Sequence, residues 1–158
     1  MKKNPDAIPV SEWSRLAKGK GELILLVEGD RLLQVLSQRI LTKLGYEVLL
    51  ASSPQLAVVL WKTRAEEVKL ILTDYPFGDA QTGLELVHKI HKLAPELPIL
   101  MVCAAGRPDA KTDPPLPSHT AYLMKPYSLA YLAHTLHRLL TERNAQALPW
   151  VPRERASE

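Results

Sequence analysis

The sequence predicts an α/β fold, a doubly wound five-stranded parallel sheet with helices on both faces. Three observations predict it. Short, wholly apolar runs alternate with stretches whose apolar residues recur every three or four positions. The first run, Leu23–Val27, is apolar on successive residues, as a strand covered on both sides must be. Strand-like runs come one at a time rather than in hairpin pairs, and parallel neighbours need helical crossovers between them.

Leu23–Val27 is strand one. Leu33, Leu36, Ile40 and Leu44 follow at helical spacing, predicting a helix that buries this set and ends at Gly45. Residues 46–50 are strand two. Ser53 and Pro54 read as an N-cap with proline at the first helical position, opening a helix through Leu60 and Trp61. Residues 70–72 form strand three, ending at Thr73 and Asp74, with a loop as far as Gly83. Leu84, Val87, Ile90 and Leu93 mark a helix that stops before Pro95. Residues 99–102 and 121–124 are strands four and five. Leu129, Leu132, Leu136 and Leu140 give the last helix. One crossover is damaged. Between strands four and five stand Pro108, Pro114, Pro115 and Pro117, each fixing φ and lacking an N–H, so this fourth helix is degraded to one turn around 109–112. The rest of that stretch is extended or loop. It reads as a plain spacer, or as a proline-rich segment that a partner recognises.

A chain of 158 residues fits one domain, and 46% apolar with 23% charged residues excludes disorder and collagen-like repetition. No apolar stretch approaches the ~20 residues of a membrane-spanning helix. Pro5, Asp6 and Pro9 interrupt any secretory signal. The single cysteine, Cys103, excludes an internal disulfide and a structural zinc cluster and suits a reducing, cytoplasmic setting. The net charge of +3 is local: residues 1–20 hold five basic groups against two acids, whereas 21–143 hold thirteen of each. The organisation is therefore a basic arm (1–20), a neutral domain (21–143) and a tail (144–158). The arm reads as a solvated leader, with contact to nucleic acid or an acidic membrane surface as the sharper reading. Trp13 and Trp150 are placed to pin the two extensions to the domain.

Ligands of open parallel sheets bind outside the carboxyl ends of the strands. Those ends carry Glu28-Gly29-Asp30, Asp74, Cys103-Ala104-Ala105 and Lys125-Pro126. Three carboxylates and one lysine thus converge on one rim. Such a set suits Mg²⁺ held by one or two carboxylates plus waters and phosphate oxygens. Taken alone, Asp74 is also a candidate turn cap, Lys125 a structural ion-pair partner for it, and Cys103 a small buried hydrophobe. His88 with His91, and His134 with His137, each repeat at three residues, but neither pair has a third ligand nearby in sequence. His134 and His137 lie opposite the leucine face, on a solvated or partner-facing surface. No glycine-rich phosphate loop or Walker lysine is present, which argues against nucleotide hydrolysis.

Residues 22–143 resemble the receiver domain of bacterial two-component response regulators, the family of the chemotaxis regulator. The motifs are Leu-Ile-Leu-Leu-Val-Glu-Gly-Asp-Arg at 23–31, Leu-Ile-Leu-Thr-Asp-Tyr at 70–75, Gly-Leu-Glu-Leu at 83–86 and Tyr-Leu-Met-Lys-Pro-Tyr at 122–127. The resemblance implies a flavodoxin-like strand order 2-1-3-4-5. It implies Asp74 as phosphate acceptor, Lys125 as the phosphoryl contact and Tyr122 as the switch aromatic. It also implies a cis Lys125–Pro126 bond and, as Mg²⁺ ligands, Glu28, Asp74 and the main-chain carbonyl of Pro76. The sequence departs from the pattern at two positions. Gly29 replaces the second acid at the end of strand one, leaving Asp30 as the neighbouring substitute, so Mg²⁺ binding is weakened or lost. Cys103 stands where the family carries Thr or Ser, and a thiol is a weak donor. Phosphoryl transfer rests on positioning and charge neutralisation, and each ~1.4 kcal/mol lost there slows it about tenfold.

The reading is a stand-alone receiver module in a phosphorelay, since only fifteen residues follow Arg143. It would accept phosphate on Asp74 from a histidine kinase or phosphotransfer protein and signal to an output protein by binding it. The alternative is a pseudo-receiver that is never phosphorylated and serves as an interaction scaffold or homodimer. Nucleic-acid association through the arm is a remoter third reading.

Overall fold

The computed structural model describes residues 10–75, 80–104 and 117–142. Its elements are α1 (Val10–Trp13), β1 (Leu23–Val27), α2 (Arg31–Lys43), β2 (Glu47–Ala51), α3 (Pro54–Thr63), β3 (Val68–Tyr75), α4 (Ala80–Leu93), β4 (Ile99–Cys103), β5 (Thr120–Met124) and α5 (Leu129–Thr141). The strands form one all-parallel sheet in the order β2-β1-β3-β4-β5, the flavodoxin-like order expected. Every residue of β1 and β4 is buried, whereas edge strand β2 is largely half-buried. That difference is why strand one reads so plainly in the sequence.

Side chains alternate across the sheet and build two cores. On one face Leu25, Val27, Ile71 and Met101 meet Ala57 and Trp61 of α3 and Leu84, Val87 and Ile90 of α4. On the other, Ile24, Leu26, Leu70, Leu72, Leu100 and Leu123 meet Leu41 of α2, Leu44, and Leu132, Leu136 and Leu139 of α5. Each buried Leu, Ile, Val or Met among them contributes about 1.5–3 kcal/mol. Serines start two helices: Ser53 accepts from Leu56 N at 3.1 Å and Ser128 from Tyr131 N at 3.1 Å. The exposed His134 and His137 lie on the outer face of α5.

Three expectations are corrected. The buried stripe of α2 is rotated from the one predicted. Leu33 and Leu36 are 39% and 46% exposed, while Gln34 and Ser37 are half-buried in line with the buried Leu41 and Leu44. Leu32, Leu33, Val35 and Leu36 cover too much of the helix circumference for all to face the sheet, so their spacing does not select a face. The helix after β3 starts earlier than expected, because α4 begins at Ala80 and takes Gly83 into its first turn.

The third correction concerns the arm, whose described residues, 10–20, are more than a solvated leader, with Trp13 pinning them to the domain as its placement led us to expect. Trp13 and Leu16 pack against the α2–α5 core. The Trp13 ring lies 5.4 Å from Lys18 Nζ and 4.7 Å from Lys43 Nζ, within cation–π range. Gly19 N donates to Leu44 O at 2.7 Å, and Gly21 N to Gly45 O at 2.8 Å. Gly45 has φ +91°, and a Cβ there would lie 2.7 Å from Gly19 O. Both its backbone angle and the close approach of the arm therefore require glycine. The expected turn at 109–112 and Trp150 lie outside the described residues. Pro117 is described and buried, and the chain enters β5 through His119 at φ 64°.

Candidate functional site

β1, β3 and β5 end along one edge of the sheet. Glu28, Asp74 and Lys125 continue the alternation on the side of α2 and α5, so three residues distant in sequence meet there. Lys125 Nζ lies 3.1 Å from Asp74 Oδ1 and 3.4 Å from Oδ2, straddling the carboxylate. About a quarter of the Asp74 side chain is open to solvent. Lys125 N donates to Cys103 O at 2.8 Å, tying the end of β5 to β4, and the Lys125–Pro126 bond is cis.

Glu28 is buried, and its Oε1 accepts from Asp30 N at 2.8 Å. Burial raises its pKa most, the Asp30 N–H opposes this, and the Asp74 charge and a hydrogen bond with Asp74 raise it further. Two carboxylates that press on each other in this way suit a cation. Mg²⁺ accepts such a pair when waters or phosphate oxygens complete its shell, and Glu28 and Asp74 would hold it. Asp30 is otherwise engaged: its Oδ1 accepts from Leu32 N at 2.8 Å and Leu33 N at 3.0 Å, capping α2. Gly29 offers no side-chain donor, and Pro76 lies outside the described residues. Among the described residues no group of three or more His, Cys, Asp or Glu side chains is arranged to hold a metal ion.

Cys103 is fully buried, with Sγ 3.9 Å from Met101 O, on the α3–α4 side of the sheet. Burial, reinforced by the Asp74 charge, pushes its thiol up to about 12. Tyr122 is half-buried on the same side, packed against that core.

Two residues of the site escaped the sequence reading. Gln34 Nε2 donates to Glu28 O at 2.6 Å, holding the end of β1 from α2. Its polar gap in the buried stripe was the signal, hidden by the leucines around it. Tyr127 lines a shallow open depression with Ala104, Lys125 and Pro126. Burial raises its phenol pKa most; Lys125 opposes, and Asp74 and Glu28 add to the rise.

A 2-1-3-4-5 parallel sheet with an acid pair and a lysine at its carboxyl edge has the architecture of a receiver domain. Residues 24–137 match the family described as the response regulator receiver domain, and the chain belongs to that family, whose setting is two-component signalling. It is 28% identical over 135 residues to the DNA-binding transcriptional regulator NtrC of Bradyrhizobium sp. (strain RP501 Parasponia), covering 85% of this chain and 25% of that protein. The corresponding regulator of Azospirillum brasilense is 29% identical over 125 residues, covering 78% and 25%. The chain thus spans about a quarter of the length of the curated relatives it matches. A solved receiver domain protein (CheY-like) from Methanospirillum hungatei JF-1 is 27% identical with a TM-score of 0.62, covering 78% of this chain and 96% of that one. Among the described residues no helix is long and apolar enough to cross a membrane.

Proposed function

We propose that this receiver domain accepts a phosphoryl group on Asp74 from a histidine kinase or phosphotransfer protein and passes the signal on by binding an output protein. The observation that carries the reading is Lys125 Nζ within 3.1 and 3.4 Å of the two Asp74 oxygens, beside the buried Glu28. An Asp74 oxygen attacks the phosphorus of the donor phosphohistidine in line. The P–N bond breaks, the imidazole leaves with the electron pair, and an acyl phosphate forms. Lys125 then holds a phosphoryl oxygen in place of the carboxylate it now straddles. Mg²⁺, when bound, neutralises charge on the transferring group. Tyr122 and the end of β4 relay the change toward α5.

A second reading, a pseudo-receiver acting as an interaction scaffold or homodimer, draws support from the Asp30 carboxylate capping α2 while Gly29 supplies no ligand. Incubation with a small phosphodonor and Mg²⁺, read by intact mass, separates the two. Modification of the wild type that Asp74→Asn abolishes supports the switch. Modification that appears only in Gly29→Asp supports the scaffold.

A further inference from the structure

The family resemblance implies a hydroxyl donor at position 103, where this chain carries a thiol. The Cys103 thiol is wholly buried and approaches Met101 O, and a thiol is a weak donor in any case. Lys125 is shared between the site and a depression lined by Ala104, Lys125, Pro126 and Tyr127. Its lining includes Lys125, the lysine that grips Asp74, and the ring of Tyr127, which is about a third exposed. Among the described residues that line it, Tyr127 carries the one hydroxyl. A phenol stays protonated at neutral pH, and a hydrogen bond from it to an anion is charge-assisted. The charges of Lys125, Asp74 and Glu28 all bear on this phenol.

We propose that Tyr127 supplies the missing hydroxyl, donating its O–H to an oxygen of the phosphoryl group, or another tetrahedral oxyanion, held at Asp74. The proposal rests on Asp74 as the acceptor and assigns a ligand contact to a residue in the motif whose aromatic ring alone would suffice for packing. Tyr127→Phe keeps that ring and removes only the donor.

The test uses the full chain with fluoroberyllate, a phosphoryl mimic, and Mg²⁺, with affinity read by ¹⁹F NMR titration. Tyr127→Phe weakens binding about tenfold, as expected for one hydrogen bond to a charged group, and leaves the melting temperature unchanged. In a Cys103→Thr chain, where a hydroxyl returns to the end of β4, the same substitution costs about threefold or less, because the two donors serve one oxyanion. If the wild type neither binds fluoroberyllate nor takes phosphate, the acceptor reading fails there. The Tyr127 contact is then judged in Gly29→Asp, which restores the absent acid. A loss below twofold in whichever chain binds overturns the contact while leaving acceptance by Asp74 intact. Equal losses with and without Cys103→Thr overturn the replacement of one hydroxyl by the other. Failure of both chains to bind overturns the two readings together.

Discussion

Gly45→Ala tests whether the amino-terminal segment is part of the folded domain. Two costs are readable. Alanine at φ +91° occupies a left-handed conformation, at about 1–2 kcal/mol. Its Cβ would also stand 2.7 Å from Gly19 O, so the segment must move, weakening the bonds from Gly19 N to Leu44 O and from Gly21 N to Gly45 O. Each is worth about 1 kcal/mol. If both bonds are lost the sum is about 3–4 kcal/mol. Gly21→Ala is the matched control: φ is +87° but nothing lies within 4 Å of the new Cβ, so only the conformational cost of about 1–2 kcal/mol remains. Urea unfolding followed by tryptophan fluorescence and circular dichroism measures both. If the two variants lose equal stability, the close approach of the segment carries no energy and the docking argument is wrong.

The rotated stripe of α2 predicts that Leu41→Ala costs about 2–5 kcal/mol while Leu36→Ala costs under about 1 kcal/mol, both from urea midpoints. Asp30→Asn keeps a capping oxygen and holds stability, whereas Asp30→Ala loses about 1 kcal/mol; Mg²⁺ affinity by calorimetry is equal in wild type and Asp30→Asn, and a drop would return Asp30 to the ligand set. Cys103 and Tyr46 have folded pKa values raised from 9.0 and 10.0 to about 12. Their contribution is complete below those unfolded values and is lost as pH climbs toward about 12, so the urea midpoint falls between pH ~9 and ~12, less steeply in Tyr46→Phe.

Much of the architecture was legible because strands buried on both sides leave no choice of residue: β1 and β4 are apolar at every position. The rim was legible because strand ends are easily located, and Glu28, Asp74 and Lys125 each fall at one. The phase of α2 was not, since four leucine or valine residues in five positions satisfy several helical faces at once, and only the competition for space against the sheet selects the one bearing Gln34. Tyr127 follows a cis-proline turn, beyond the reach of any periodicity. Trp13 marked the arm as docked, but the close approach of Gly19 to Gly45 rests on two glycines too far apart in sequence to register as a pattern.

Trimming the polypeptide to its family boundaries would discard something physical. The matched stretch starts at residue 24, whereas Trp13 already packs against the core. A protein begun at residue 24 would uncover the ring of Tyr46 against which Gly19 rests, together with the side of Leu44, and would present a sticky shelf at the end of the molecule opposite the acid rim. Self-association of such a shortened protein would report on that wound rather than on signalling.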